Sequence, residues 1–213
     1  MRWRLLSVIV VFSLATVGCA SDPPGQHDRP TTTTSATGDP SASIEGVTVV
    51  EYRGADHVRF PQRVAYDRFP PFGGPHDEVW AACDGVVYDK PVRNENMVHS
   101  LEHGAVWIAY DPDRIGGDAL AGLRATVAGQ PYLMLSPYPG LDRPISLQSW
   151  GHQLKLDAAD DPRVPAFIRA LRANPETSPE PGASCAAIAG VFDVADPPPF
   201  DPSPPGPDAV PVG

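Results

Sequence analysis

The stretch Met97-Val-His-Ser-Leu-Glu-His-Gly-Ala-Val-Trp-Ile-Ala-Tyr110 joins a polar cluster with two histidines to an apolar run. If residues 98–103 form a helical turn, the i, i+4 spacing places the imidazoles of His99 and His103 on one face, where they could share a metal ion. Gly104 is expected to end this turn. Residues 105–110 are short, apolar and bounded by Gly104 and Asp111, which favours a strand buried on both faces. The sequence therefore predicts two histidines at the rim of a sheet.

The composition indicates one globular domain with extended ends. The chain has 213 residues, of which 42% are hydrophobic, and this is enough for a single core. The formal net charge of −10 argues against a nucleic-acid partner, because phosphate binding requires a basic surface. The 27 prolines fall mostly outside the periodic segments, which indicates long unfolded ends.

The first 19 residues resemble a bacterial lipoprotein signal. Two arginines precede an apolar run over residues 5–17 that is shorter than the ~20 residues of a membrane span, and Cys19 follows small residues. Thr16 stands where such signals usually have Leu. The resemblance implies export, lipidation of Cys19 and anchoring to the outer face of the membrane; an ordinary signal peptide or an uncleaved anchor remains the alternative. Residues 20–45, rich in Pro, Thr and Ser, are predicted to be a disordered tether.

The central part of the chain, residues 46–190, mixes strand and helix patterns without strict alternation. Strands are predicted at residues 47–52, 105–110, 132–136 and 144–150, and the two main helices at residues 118–127 and 161–174. The turn at Pro139-Gly140 is typical of an antiparallel hairpin between the third and fourth of these strands. The fold class is therefore α+β, a single domain with a mixed or antiparallel sheet. Residues 191–213 are predicted to be a disordered, Pro-rich tail.

Cys83 and Cys185 remain as a pair if Cys19 carries lipid. In an exported chain a disulfide between them is the expected state. The alternative is that Cys83 is a soft metal ligand near His76, although its thiolate would be vulnerable to oxidation outside the cell.

A second histidine segment, Tyr66-Asp-Arg-Phe-Pro-Pro-Phe-Gly-Gly-Pro-His76, has the glycines and prolines of an ordered loop that presents one side chain. Imidazoles suit zinc and copper, and a thioether would favour copper. Glu102 could orient an imidazole by hydrogen bonding. His57 is interpreted as a solvated loop residue, and the alternative to metal binding is that the histidines only hold loops together. The candidate ligands are His76, His99, His103 and Met97, with His152 as an outer candidate.

The residues His99-Ser-Leu-Glu-His103 also match H-x-x-E-H, the zinc motif of the pitrilysin and insulinase peptidases. That resemblance implies a zinc-dependent hydrolase in which Glu102 activates water as the catalytic base. Those enzymes place the motif in a longer helix and add a glutamate ligand from far downstream. Here Gly104 follows at once, and the downstream candidates Glu176 and Glu180 lie in Pro-rich sequence.

Three motifs together resemble domain of unknown function 3105. They are Gly73-Gly-Pro-His76, Val98-His-Ser-Leu-Glu-His-Gly-Ala-Val-Trp107 and Ser149-Trp-Gly151. The resemblance covers roughly residues 47–185 and implies an exported or membrane-anchored bacterial protein without an established activity. We interpret the chain as a lipid-anchored envelope domain that binds copper or zinc rather than catalysing a reaction, with the hydrolase and a metal-free structural module as alternatives.

Overall fold

A computed structural model describes residues 38–212 as an α+β domain with three helices and a six-stranded mixed sheet, which confirms the predicted fold class. The strand order in the sheet is β1-β9-β8-β6-β7-β5, and two short strand pairs, β2 with β4 and β3 with β10, lie outside it. No helix among the described residues is long and apolar enough to cross a membrane. The elements are β1 (Thr48–Val49), β2 (His57–Val58), β3 (Val64–Ala65), β4 (His76–Asp77), β5 (Asp84–Val87), α1 (Asn94–Glu102), β6 (Val106–Tyr110), α2 (Gly117–Val127), β7 (Leu133–Pro137), β8 (Ile145–Ser149), β9 (His152–Leu156), α3 (Arg163–Leu171) and β10 (Val210–Pro211).

Strand β6 lies inside the sheet and is buried along its whole length, as the sequence predicted. Its side chains alternate between the two faces of the sheet. Val106, Ile108 and Tyr110 enter one hydrophobic core, while Trp107 and Ala109 enter the other. Helices α2 and α3 contribute to the first core and α1 to the second. The sheet therefore separates the helix that carries the two histidines from the other two helices.

Helix α1 has nine residues rather than the single turn that the sequence predicted, and all nine are buried. Six of the nine residues are polar, so the helix shows no apolar stripe in the sequence although it is buried. Its end matches the prediction. Gly104 has a φ of +97°, and the amides of Gly104 and Ala105 donate to the carbonyls of Leu101 and Ser100, which is a Schellman motif.

The predicted hairpin between β7 and β8 is wrong. Strand β6 lies between them, parallel to β7 and antiparallel to β8. The turn at Pro139-Gly140 signals that the chain reverses, but it does not specify which strand becomes the neighbour. The hairpin that does form joins β8 to β9, with Ser149 opposite His152 across Trp150 and Gly151.

The C-terminal segment, predicted to be disordered, packs on the domain. Strand β10 pairs in parallel with β3, and Phe192 is buried in the core. The Phe200 ring lies 4.7 Å from that of Tyr138, and Arg63 donates to Asp201 at 2.9 Å. The prediction failed because it rested on the Pro-rich composition of the segment. The few apolar side chains in the segment are spaced so that they pack against the surface of the domain.

The N-terminal predictions fall mostly outside the described residues, including the signal over residues 1–19, lipidation of Cys19 and the tether up to residue 37. The final residues of the predicted tether are placed. Ser41 is buried, and Ile44 packs against the core that contains α2 and α3. The domain therefore begins a few residues earlier than the composition indicates.

The predicted disulfide between Cys83 and Cys185 is present, with Cα atoms 4.6 Å apart. The amide of Cys83 also donates to the carbonyl of Cys185 at 2.8 Å. This bridge fixes the segment that follows α3 beside the start of β5. A buried disulfide of this kind is typical of oxidising compartments.

Candidate metal centre

Two short strands bring two histidines together. Strands β2 and β4 pair in parallel with His57 opposite His76, and the amide of His76 donates to the carbonyl of Asp56 at 3.0 Å. The His57 ring also stacks on that of His99, with centroids 4.9 Å apart and planes within 13°. The sequence placed His57 in a solvated loop. In the structure it lies on a strand beside His76, and its side chain is 45% exposed.

Helix α1 positions three further polar groups against this strand pair. His99 and Glu102 lie in its last turn, and His103 is its C-terminal cap. The His99 and His103 rings are 4.7 Å apart, as their spacing of four residues predicted. The His76 ring lies 4.8 Å from that of His99. The loop, the strand pair and the helix thus converge on one buried cluster.

Three imidazoles of the cluster are oriented in the same way, with Nδ1 against a backbone carbonyl oxygen. A carbonyl only accepts hydrogen bonds, so Nδ1 carries the hydrogen and the other ring nitrogen is directed away. This is the orientation that metal-binding histidines usually have. The contacts are His76 with Gly74 at 2.9 Å, His99 with Asp77 at 2.6 Å and His103 with Ser184 at 2.7 Å.

The Glu102 carboxylate lies among the Nε2 atoms of three histidines. Its Oε2 is 2.9 Å from His76, 3.7 Å from His57 and 4.0 Å from His99. Burial by itself would raise the pKa of Glu102, but the hydrogen bond and charge of His76, with the charges of His99 and His57, lower it. Glu102 is therefore ionised and can offer an oxygen atom to a metal ion. Together with His57, His76 and His99 it forms a first group, in which all four ligand atoms lie within 4.8 Å of one another.

A second group shares one member with the first. His99, His103 and Glu180 also offer ligand atoms within 4.8 Å of one another. Glu180 Oε2 is 3.7 Å from His103 Nε2, and the Glu180 amide donates to the carbonyl of Glu102 at 3.0 Å. The sequence named Glu180 and Glu176 as candidates for a downstream glutamate ligand, and the structure brings only Glu180 to the cluster. Its position depends on the fold of the segment after α3, for which the sequence carries no local signal.

The other two candidate ligands lie outside both groups. Met97 is fully buried in the hydrophobic core under α1, because a spacing of two residues from His99 directs it to a different face of the helix. His152 begins β9, where its Nδ1 contacts the carbonyl of Trp150 at 2.7 Å and its Nε2 lies 3.4 Å from Asp39. His152 is therefore a buried histidine with its own partners, separate from the cluster.

Trp80 and the disulfide segment form one wall of the cluster. The Trp80 ring lies 5.5 Å from that of His99 and 4.9 Å from that of His103. Its indole N–H donates to the carbonyl of Ala186 at 2.8 Å, next to Cys185. The disulfide therefore supports this wall as well as the carbonyl that orients His103. Trp80 is partly buried, whereas Ser184 and Ala186 are exposed, so this side of the cluster stays open to solvent at its edge.

Burial lowers the pKa of two of these histidines. The pKa of His99 falls to about 4, because burial and the neighbouring His76 and His103 outweigh the hydrogen bond to Asp77 and the charge of Glu102. The pKa of His103 also falls through burial, opposed by the Ser184 carbonyl and by Glu180. Both imidazoles are therefore neutral near pH 7, which is the state that binds metals.

These shifts predict that the metal-free protein loses stability on acidification. Between pH 6.5 and about 4 the unfolded chain binds a proton at His99 that the folded chain does not, so the free energy of unfolding falls as pH falls through this window. We expect a loss of about 1–2 kcal/mol between pH 7 and pH 5, measured by urea unfolding in the presence of a chelator. A His99→Gln variant should lose less over the same range. An equal loss in both proteins would contradict the assignment.

Comparison with known proteins gives a family and no activity. No curated protein and no solved structure matches the chain. The family model described as "Protein of unknown function (DUF3105)" matches residues 57–187. This match covers more than half of the chain, begins at His57, and includes every residue of both ligand groups. The chain belongs to the DUF3105 family, whose function is unknown.

Proposed function

We propose that this domain binds a divalent transition-metal ion, zinc or copper, at the cluster of His57, His76, His99 and Glu102. The observation that carries the proposal is the orientation of the imidazoles. Nδ1 of His76 and His99 contacts a backbone carbonyl, and Nε2 lies within 4.0 Å of the Glu102 carboxylate. Four ligand atoms that lie within 4.8 Å of one another, two of them on imidazoles already oriented by backbone carbonyls, match the arrangement of metal-binding histidines.

The ligand types favour Zn²⁺ or Cu²⁺ over Cu⁺. Three imidazole nitrogens and one carboxylate oxygen form a common zinc ligand set and also suit Cu²⁺. Cu⁺ prefers sulfur. Met97 packs in the hydrophobic core under α1, and the thiols of Cys83 and Cys185 are oxidised, which argues against a sulfur ligand. The position of Met97 gives no support to the thioether argument for copper.

The proposed location is the outer face of the membrane, with Cys19 carrying the lipid. The disulfide supports an oxidising compartment, and the resemblance of residues 1–19 to a lipoprotein signal supports export and anchoring. The membrane would then be the partner that holds the domain in place. Metabolic labelling with a fatty-acid analogue tests the anchor, since labelled protein from the parent and none from a Cys19→Ala variant is expected.

The test of metal binding is elemental analysis of the full-length protein, purified in detergent without chelators or a histidine tag. We expect about one zinc or copper ion per chain in the parent and almost none in a His76→Gln, His99→Gln double variant. The matched control is His152→Gln, which removes a buried histidine outside the cluster and should retain the metal. Circular dichroism of each variant establishes that it is folded.

Two outcomes would contradict the proposal. If the parent remains metal-free after loading and dialysis, the histidines are structural, and the domain is a metal-free envelope module. If the double variant is folded and binds as much metal as the parent, the ion lies elsewhere in the chain.

A zinc-dependent hydrolase is the second candidate, and Glu180 is the observation that favours it. The peptidases with the H-x-x-E-H motif use both histidines and a downstream glutamate as ligands, and here Glu180 lies 3.7 Å from His103. Glu102 would then take a proton from water as the base. In this case a Glu102→Gln variant retains zinc and loses peptide hydrolysis. In the metal-binding proposal the same variant loses affinity for the metal, because Glu102 is a ligand.

A further inference from the structure

The two ligand groups cannot each hold a metal ion at the same time, because they share His99. His99 belongs to each group, and its Nδ1 donates to the carbonyl of Asp77 at 2.6 Å. This contact leaves Nε2 as the only ring nitrogen of His99 with a free lone pair. One lone pair binds one ion. A second ion would be left with His103 and Glu180 alone, and a structural or catalytic zinc site normally has at least three protein ligands.

We infer that the cluster holds one ion in either of two overlapping positions, with His99 bound in both. This inference rests on the proposed metal binding. In the inner position the other ligands are His57, His76 and Glu102, and in the outer position they are His103 and Glu180. An ion moves between the two positions by exchanging these ligands while His99 stays bound, so it is never released into water during the exchange.

The solvent exposure of two ligands indicates that the metal ion is exchanged with other molecules rather than held permanently. Each position combines buried ligands with one ligand at the surface. The His57 side chain is 45% exposed in the first group, and that of Glu180 is 54% exposed in the second. His99 and His103 are almost fully buried. A structural metal site is usually closed on all sides. Here the exposed ligand of either position can be replaced by a nitrogen or sulfur ligand of an acceptor protein without unfolding the domain.

The outer position also has a fixed framework, although Glu180 is exposed. The Glu180 backbone is held by the carbonyl of Glu102 at 3.0 Å, and the disulfide holds the Ser184 carbonyl that orients His103. The backbone of Glu180 is therefore fixed beside the end of α1, and from there its carboxylate lies 3.7 Å from His103 Nε2. Glu176, four residues earlier, is exposed as well and belongs to neither group.

Electron paramagnetic resonance of Cu²⁺ tests this inference, because the spectrum distinguishes ligand sets and Cu²⁺ binds to nitrogen and oxygen sites more tightly than other divalent ions. Full-length protein is titrated with Cu²⁺ alone. We expect one ion per chain and two overlapping spectra in the parent. Glu180→Gln should leave only the spectrum of the inner position, and His57→Gln should enrich that of the outer position. Glu176→Gln, the matched control, should give the parent spectrum.

The results that overturn the inference differ from those that overturn metal binding. Two ions per chain would show that the groups are independent sites. One ion with a single spectrum that is unchanged by Glu180→Gln would show that the outer position is not used. A parent that binds no Cu²⁺ would instead contradict the proposed function itself.

Discussion

Replacing Arg93 by Ala is expected to destabilise the protein by about 3–5 kcal/mol, because it leaves two buried carboxylates without their counter-charge. Arg93 immediately precedes α1 and forms ion pairs with Asp77 and with Glu95, the latter at 3.2 Å. All three side chains are at most 6% exposed. The residue also supports the metal cluster, since the Asp77 carbonyl orients His99. Urea unfolding of the chelator-treated protein measures the loss.

Arg59→Ala is the matched control for this prediction. Arg59 pairs with Glu78 at 2.7 Å, but the two side chains are 80% and 42% exposed. Pairs in this environment contribute about 0–1 kcal/mol, so the control should change stability by less than 1 kcal/mol. Equal losses in the two variants would mean that the buried network contributes no more than a surface pair. If the network stabilises the fold through charge, Arg93→Met should be nearly as unstable as Arg93→Ala, because methionine supplies no positive charge.

Removal of the disulfide is expected to cost about 3–5 kcal/mol. Cys83 and Cys185 are 102 residues apart in sequence, and closing so long a loop removes much of the entropy of the unfolded chain. A Cys83→Ala, Cys185→Ala variant should therefore unfold at a lower urea concentration than the parent. It should also show only the Cu²⁺ spectrum of the inner position, because the carbonyl that orients His103 loses its support.

A reducing agent provides the control for the disulfide prediction. It should lower the urea midpoint of the parent towards that of the double variant and leave the midpoint of the variant unchanged. A parent that is insensitive to reduction under partly unfolding conditions would contradict the prediction. If loss of the bridge lowers stability but both Cu²⁺ spectra persist in the double variant, the bridge stabilises the fold without supporting the outer part of the cluster.

Local sequence patterns predicted much of this protein. The apolar run after Gly104 identified β6 as a buried strand, because a run without polar alternation suits a strand covered on both faces. The spacing of His99 and His103 placed their rings together, since that geometry is a property of one helix. The expectation of export, which leaves two cysteines as a pair, predicted the disulfide. The first two results depend on residues that are close in sequence. The third depends on there being only one other cysteine available to pair.

The same patterns could not identify the whole cluster. His57 had no neighbour in sequence that marked it as a ligand, and it joins the cluster only because β2 pairs with β4. Glu180 joins the cluster because its backbone amide donates a hydrogen bond to the carbonyl of Glu102 at the end of α1. Met97 lies only two residues from His99, yet the helix directs it into the core. Proximity in sequence was therefore misleading for Met97 and uninformative for His57 and Glu180.

The sequence by itself determined the fold class, the buried central strand, the C-terminal end of α1, the disulfide and three of the cluster histidines, because short-range periodicity and residue chemistry govern those features. Only the tertiary structure decided which strands are neighbours, where the C-terminal segment packs and which side chains complete the cluster. These features depend on contacts between residues far apart in the chain. Such contacts form when several elements bury their apolar surfaces together, and no single segment carries that information.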